Sequence, residues 1–162
     1  MSRGGLSTPL SILSINVGKC SSSHELALST AFDSSIDILL VQEPRILSKL
    51  NRRITKKHPS FECFSPVNTF ENTPRVMTYV RRGVGLRATQ KRLLPQEDEA
   101  ANDLLFLAIQ TSTNQPLMVI NVYNAPLGSP YRGNGAVTSL MSLPPASFPS
   151  ATFIAGDFNL HY

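Results

Sequence analysis

Four short apolar runs each hand a polar side chain to their C-terminal end. Leu10 to Gly18 alternates with a period near two and delivers Asn16 just ahead of a glycine. Ile36 to Pro44 is almost continuously apolar and delivers Glu43, with Pro44 forbidding continuation. Leu117 to Asn124 delivers Tyr123 and Asn124, and the apolar Ala151 to Ala155 is followed by Gly156, Asp157 and Asn159. A carboxylate at the mouth of a buried strand must hold a cation, accept hydrogen bonds or shift its pKa. Each ending alone is also compatible with a strand that runs into an Asp/Asn turn. If the four strands lie side by side or face to face, their polar ends converge. Convergent acids, amides and a phenol on rigid strand ends are what divalent-metal phosphodiester hydrolysis requires, because hard oxygens hold Mg²⁺ while amides and the phenol contact phosphate.

Taken in order, Ser14-x-Asn16-x-x-Lys19, Gln42-Glu43-Pro44, Asn121-Val122-Tyr123 and Gly156-Asp157-Phe158-Asn159 resemble the endonuclease/exonuclease/phosphatase superfamily. Within it, Asn121-Val122-Tyr123-Asn124 followed by Gly156-Asp157-Phe158-Asn159-Leu160-His161 is most similar to the apurinic-type endonuclease domains of LINE-type (non-LTR) retrotransposons of fungi. The resemblance runs from about Leu10 to the last residue. It implies an α/β fold, a four-layer DNase I-like sandwich of stacked β-sheets flanked by helices, incomplete at its C-terminus. It implies Glu43 as the principal metal ligand with Asn16 beside it, and Mg²⁺ as the metal, with Mn²⁺ as the alternative. Tyr123 and Asn159 would contact the scissile phosphate, and Asp157 would orient or deprotonate the attacking water. The partner implied is DNA, with a reverse transcriptase domain in a full-length relative, no small-molecule cofactor, no membrane, and an intracellular, nuclear location.

The departures from the family pattern are specific. The family carries a further metal-side Asp and an Asp-His pair well after its Gly-Asp-Phe-Asn segment. Neither His24, His58 nor His161 lies in such a context, and position 125 is Ala where related elements often have an acid. The expectation is therefore the first two-thirds of a catalytic domain over residues 10–162, preceded by a disordered leader over residues 1–9, with half of the active site. A catalytically inactive remnant, and a phosphatase or phosphodiesterase of the same fold acting on another phosphoester, are the alternative functions.

Composition agrees with one domain. The 162 residues are 41% hydrophobic, enough for a core. No apolar stretch approaches the ~20 residues of a membrane-spanning helix. Cys20 and Cys63 are too few for a disulfide framework and fit no zinc spacing, so both are expected as free thiols. The net charge of +4 and a pI near 9.3 suit a polyanionic partner. Arg45, Lys49, Arg52, Arg53, Lys56 and Lys57 follow Glu43 with no acid among them. Such a block could neutralise DNA phosphates beside the cut, or be a solvated helix face. Ile46, Leu50 and Ile54 at helical spacing predict a basic helix to about Lys57.

The remaining elements position the ends. Ser22-x-x-Glu25 reads as a capping box opening a helix to about Ser34. Phe61–Phe64 and Val76–Val80 read as paired strands, as do Leu104–Thr111 and Leu117–Tyr123 around the loop at 112–116. A Gly/Pro-rich loop over 125–135, a short helix from Ala136 to Leu143 and the strand ahead of Gly156 complete an α/β pattern of helices outside stacked sheets. No phosphate-cradling glycine loop is present, which argues against a P-loop or Rossmann domain.

Overall fold

Two strands pair in parallel with their partners, and that pairing brings the polar ends together. The computed structural model describes residues 9–49, 52–66, 73–95, 97–130 and 135–160. The leader expected over residues 1–9 falls, apart from Pro9, outside them. In the first sheet β1 (Ile12–Asn16) lies parallel to β2 (Ile38–Gln42), with Asn16 opposite Gln42. The antiparallel strands β6 (Val76–Arg81) and β5 (Phe61–Phe64) complete it, in the order β1-β2-β6-β5. In the second sheet β10 (Thr152–Asp157) lies parallel to β9 (Pro116–Tyr123), with Asp157 opposite Tyr123. The antiparallel strands β8 (Leu104–Gln110) and β7 (Arg87–Lys91) follow, in the order β10-β9-β8-β7. Each sheet thus carries its parallel pair at one edge, and edge strand β1 lies against edge strand β10.

The β2 side chains alternate between two cores, which explains its continuous apolar run. Ile38 and Leu40 face the second sheet and pack with Leu105, Leu107, Ile109 and Val119. Leu39 and Val41 face outward onto helix α1 (Ser21–Asp33), which covers them with Ala27, Leu28 and Ala31. On the far side, Phe106, Met118 and Ile120 are covered by Ala136 and Leu140 of α2 (Ala136–Ser142). The layers are helix, sheet, sheet, helix, as expected.

Several local expectations need correction. The segment after Glu43 is no helix: β3 (Ile46–Lys49) and β4 (Arg52–Thr55) form a two-stranded hairpin with Leu47 opposite Ile54. β-branched Ile46, Ile54 and Thr55 suit a ladder, and the main chain of Arg45 is held by side chains, its N–H donating to His24 Nδ1 and its C=O accepting from Thr55 Oγ1. The capping box is not made. Helix α1 is capped two residues earlier, by Cys20, with no side-chain cap bond, and its buried stripe is His24, Ala27, Leu28 and Ala31, while Leu26 and Phe32 are exposed. Leu28 is the one large hydrophobic in that stripe, and two alanines and a histidine make up the rest, so the stripe gives little apolar cue. Strand β7 was not foreseen. Finally, Gly156 does not end the last strand, which runs on to Asp157. Nor is that strand buried throughout: Phe153 and Ile154 on edge strand β10 are exposed.

Candidate active site at the strand ends

The site is assembled by main-chain bonds at the C-terminal ends of β1, β2, β9 and β10. Asn16, the last residue of β1, donates from Nδ2 to Asp157 Oδ2 at 2.8 Å, and its Oδ1 accepts the Gly18 N–H at 2.8 Å. The Asn16 amide is therefore oriented at both ends, and it ties one sheet to the other.

Glu43 follows β2 in the left-handed region, at φ 48°. That conformation is costly for a glutamate and more so ahead of proline. It persists because the backbone on both sides is held: Glu43 N–H donates to Arg75 O at 2.8 Å, and Glu43 O accepts the Lys19 N–H at 2.7 Å. Such over-determined strain is common where a side chain is aimed for function. The carboxylate accepts the Tyr123 hydroxyl at 3.3 Å. Burial pushes the Tyr123 phenol above its ordinary range, and the negative charge of Glu43 adds to the effect.

Asp157 and Asn159 are set by a tight turn clamped by Asn124. Asn124 N–H donates to Asp157 O and its Nδ2 donates to Phe158 O, both at 2.8 Å. Asn159 Nδ2 returns a bond to Asn124 O at 2.8 Å, and Asn159 N–H donates to Asp157 Oδ1 at 3.2 Å. Asn159 sits at φ 44°, which asparagine tolerates better than most residues. Gly156 is required one step earlier: it has φ 150°, and a Cβ there would collide with the Val122 carbonyl across the parallel pair.

The structure therefore brings Asn16, Asp157 and Asn159 together, brings Glu43 to Tyr123, and puts both groups at one end of the sandwich. Beside Glu43 opens a cleft of about 770 Å³, lined by Lys19, Arg45, Arg53, Arg75, Asp103 and Tyr123 among others. Of the basic residues singled out in the sequence, Arg45 and Arg53 line this cleft, and Arg53 Nη1 donates to Thr73 Oγ1 at 2.7 Å. Lys49 is exposed on β3, and Arg52 stands opposite it in the ladder. Among the described residues, no group of three or more His, Cys, Asp or Glu side chains is placed to hold a metal ion.

Several residues matter here to which the sequence assigned no role. Gln42 and Asn121 are fully buried between the sheets. Gln42 Nε2 donates to Asn121 Oδ1 at 2.8 Å, and Asn121 Nδ2 donates to Met77 O at 2.9 Å. Asn121 is thus a polar rivet under the site, two residues before Tyr123 on the same strand face. Arg75 and Asp103 also escaped notice: Asp103 is 3% exposed, with Oδ1 3.5 Å from Arg75 Nε. Burial pushes the Asp103 carboxyl up to about 7, and the charge of Arg75 lowers it only in part. A lone Arg and Asp 28 positions apart leave no pattern in a sequence. The two described histidines are engaged elsewhere. His24 is buried with Nε2 2.9 Å from the Tyr79 hydroxyl, and His58 packs on Phe32 and Phe61.

Two stacked sheets with an outer helix on each, and a polar cluster where their parallel edge pairs end, make up a DNase I-like α/β sandwich fold. The endonuclease domain of TRAS1, a telomere-specific non-LTR retrotransposon, matches with a TM-score of 0.69 over 95% of this chain at 16% identity. A humanized D. rerio TDP2 carrying 14 mutations matches with a TM-score of 0.61 over 94% of the chain at 20% identity. D. rerio TDP2 complexed with a single-strand DNA product gives 0.57 over 94% at 16% identity. The chain spans 61%, 63% and 62% of those three structures, respectively. No protein-family profile and no curated protein sequence matches it. No described helix is long and apolar enough to cross a membrane.

Proposed function

We propose that residues 10–162 form the larger part of a metal-dependent DNA endonuclease domain of the LINE-type retrotransposon kind. The observation that carries this reading is the Asn16–Asp157 bond across the two sheets, at the same end as the Tyr123–Glu43 contact. The donor set fits a hard cation. Glu43 offers a carboxylate at the end of β2, beside the end of β1 that carries Asn16, and Mg²⁺ is commonly held by one or two carboxylates while keeping several waters. Glu43 would hold the metal, with Asn16 at its side. When bound, the cation neutralises charge that builds on the phosphate as it is attacked in line. Asp157, fixed by Asn16 and by the Asn159 main chain, is suited to orient a water or take its proton. The Tyr123 hydroxyl and the Asn159 amide are donors for phosphate oxygens. Lys19, Arg45, Arg53 and Arg75 give the cleft the positive charge that a polynucleotide backbone requires. Residence in the nucleus and fusion to a reverse transcriptase belong to the same reading.

A second reading keeps DNA binding without turnover. It is favoured by the engagement of His24 and His58 elsewhere, which leaves no described histidine beside Asp157. Nicking of supercoiled plasmid in Mg²⁺ or Mn²⁺, run beside phosphate release from an inositol phosphate, separates the readings. Nicking abolished by Glu43→Ala and by Asp157→Ala supports the endonuclease. Salt-sensitive DNA binding without nicking supports the second reading. Release from the inositol phosphate alone would overturn the assignment to DNA.

A further inference from the structure

We infer that Arg75 and Asp103 are positioning residues that hold the Tyr123 ring against Glu43. The four residues form a closed ring of contacts. Glu43 N–H donates to Arg75 O at 2.8 Å, and Arg75 Nε lies 3.5 Å from Asp103 Oδ1. Asp103 O accepts the Tyr123 N–H at 2.9 Å, and the Tyr123 hydroxyl returns to Glu43 Oε1 at 3.3 Å. Across the middle, the Arg75 guanidinium stands 5.4 Å from the centroid of the Tyr123 ring, within cation–π range. Main-chain bonds fix where Tyr123 starts, but not how its ring is turned. Its face is set by Arg75 and its hydroxyl by Glu43.

The division of labour within Arg75 supports this role. Its main chain does the work of the fold, joining Glu43 to the segment at 102 through Arg75 N–H to Asn102 O at 2.9 Å. Its side chain reaches toward the residue that carries Tyr123's main-chain bond and toward the Tyr123 ring itself. Asp103 is almost wholly buried, and a carboxylate so placed needs a nearby cation. Asp103 thereby keeps the guanidinium over the ring at the wall of the open cleft. This inference rests on the proposed reading, in which Glu43 and Tyr123 act on one phosphodiester. Arg75 then sets the angle at which the phenol meets the phosphate.

The test uses the full 162-residue protein with ¹³C-labelled tyrosine rings, Tyr123→Phe assigning the Tyr123 signals and Tyr79 serving as an internal reference. Mn²⁺ binding is measured in parallel from the free-ion EPR signal. Arg75→Met alone leaves Asp103 buried without its cation, so the decisive forms are Asp103→Asn and the double variant Arg75→Met/Asp103→Asn. Expected are shifted and broadened Tyr123 ring signals in both, with Tyr79 signals and Mn²⁺ affinity unchanged, since the Arg75 carbonyl still holds Glu43. Tyr123 signals at their wild-type positions in the folded double variant overturn the inference. Equal displacement of Tyr79 also overturns it, because that marks a general loss of structure. A wild-type protein that takes up no Mn²⁺ overturns the metal reading instead and leaves the Tyr123 result standing.

Discussion

Asn16 and Asp157, 141 positions apart, share a 2.8 Å hydrogen bond that joins the end of the first strand of one sheet to the end of the last strand of the other. The bond is solvent-accessible, so its worth to stability is small, about 0.5–1.5 kcal/mol. Its worth to the site is directional. Asn16→Ala should leave the unfolding free energy from a urea titration within that range of the wild type, while Asn16→Asp sets a second carboxylate against Asp157. In any form that nicks plasmid, Asn16→Asp should lower the rate more than Asn16→Ala does, and equal rates for the two would contradict the orienting role.

The Gln42–Asn121 rivet should behave in the opposite way, with a large effect on stability. Asn121→Ala takes from the buried Gln42 amide one of its acceptors, leaving it Ser14 Oγ, and takes a donor from two core carbonyls, at roughly 3 kcal/mol. Replacing both partners by leucine removes the two buried amides together, so the double variant should be less destabilised than the sum of the singles. A double-mutant cycle in urea measures that coupling, and simple additivity would remove the claim.

Of the five glycines Gly18, Gly83, Gly85, Gly128 and Gly156, Gly156 leaves the least room for a side chain. Gly156→Ala must move the Val122 carbonyl out of the parallel pair, at a cost of at least ~2 kcal/mol. Chemical denaturation should show this loss, and Asp157 should lose its protection of the Asn124 amide in hydrogen exchange, since Asn124 N–H donates to Asp157 O.

Two buried groups give stability opposite pH slopes. The Asp103 carboxyl, raised from 3.8 to about 7 by burial, contributes stability that is complete below 3.8 and is lost as pH rises through about 7. His24, lowered from 6.5 to about 4 by burial, contributes stability that is present above 6.5 and is lost as pH falls through about 4. Between pH 4 and 6.5 the two oppose each other. Asp103→Asn should therefore unmask a rise in stability with pH across that window. A thermal melt series that stays unchanged on this substitution would argue against a buried, titrating Asp103.

The two thiols should differ in reactivity. Cys20 is exposed, and hydrogen bonding from Ser22 lowers its thiol to about 6, whereas burial pushes Cys63 up to about 11. Iodoacetamide at pH 7 followed by peptide mass spectrometry should find Cys20 labelled well before Cys63.

What the sequence determined by itself was whatever local pattern can carry. Continuous apolar runs marked β2 and β9, because strands buried on both faces have no polar alternation to show. Polar residues at their ends marked Asn16, Glu43, Tyr123, Asp157 and Asn159, because such groups at strand ends need partners. From these came a pattern of helices outside stacked sheets, while the four-layer sandwich and the roles of the site residues were implied by the resemblance of the motifs to a known family. The hairpin after Glu43 was misread because Ile46, Leu50 and Ile54 fall at helical spacing by coincidence, while the contacts that hold Arg45 in the hairpin come from His24 and Thr55. Only the tertiary structure decided that Asn16 would meet Asp157, that Gln42 would rivet to Asn121, and that Arg75 and Asp103 would close around Tyr123. Each of those contacts joins segments from separate parts of the fold, and its energy depends on burial and orientation, which exist only once two sheets with their parallel pairs at the same edge have stacked.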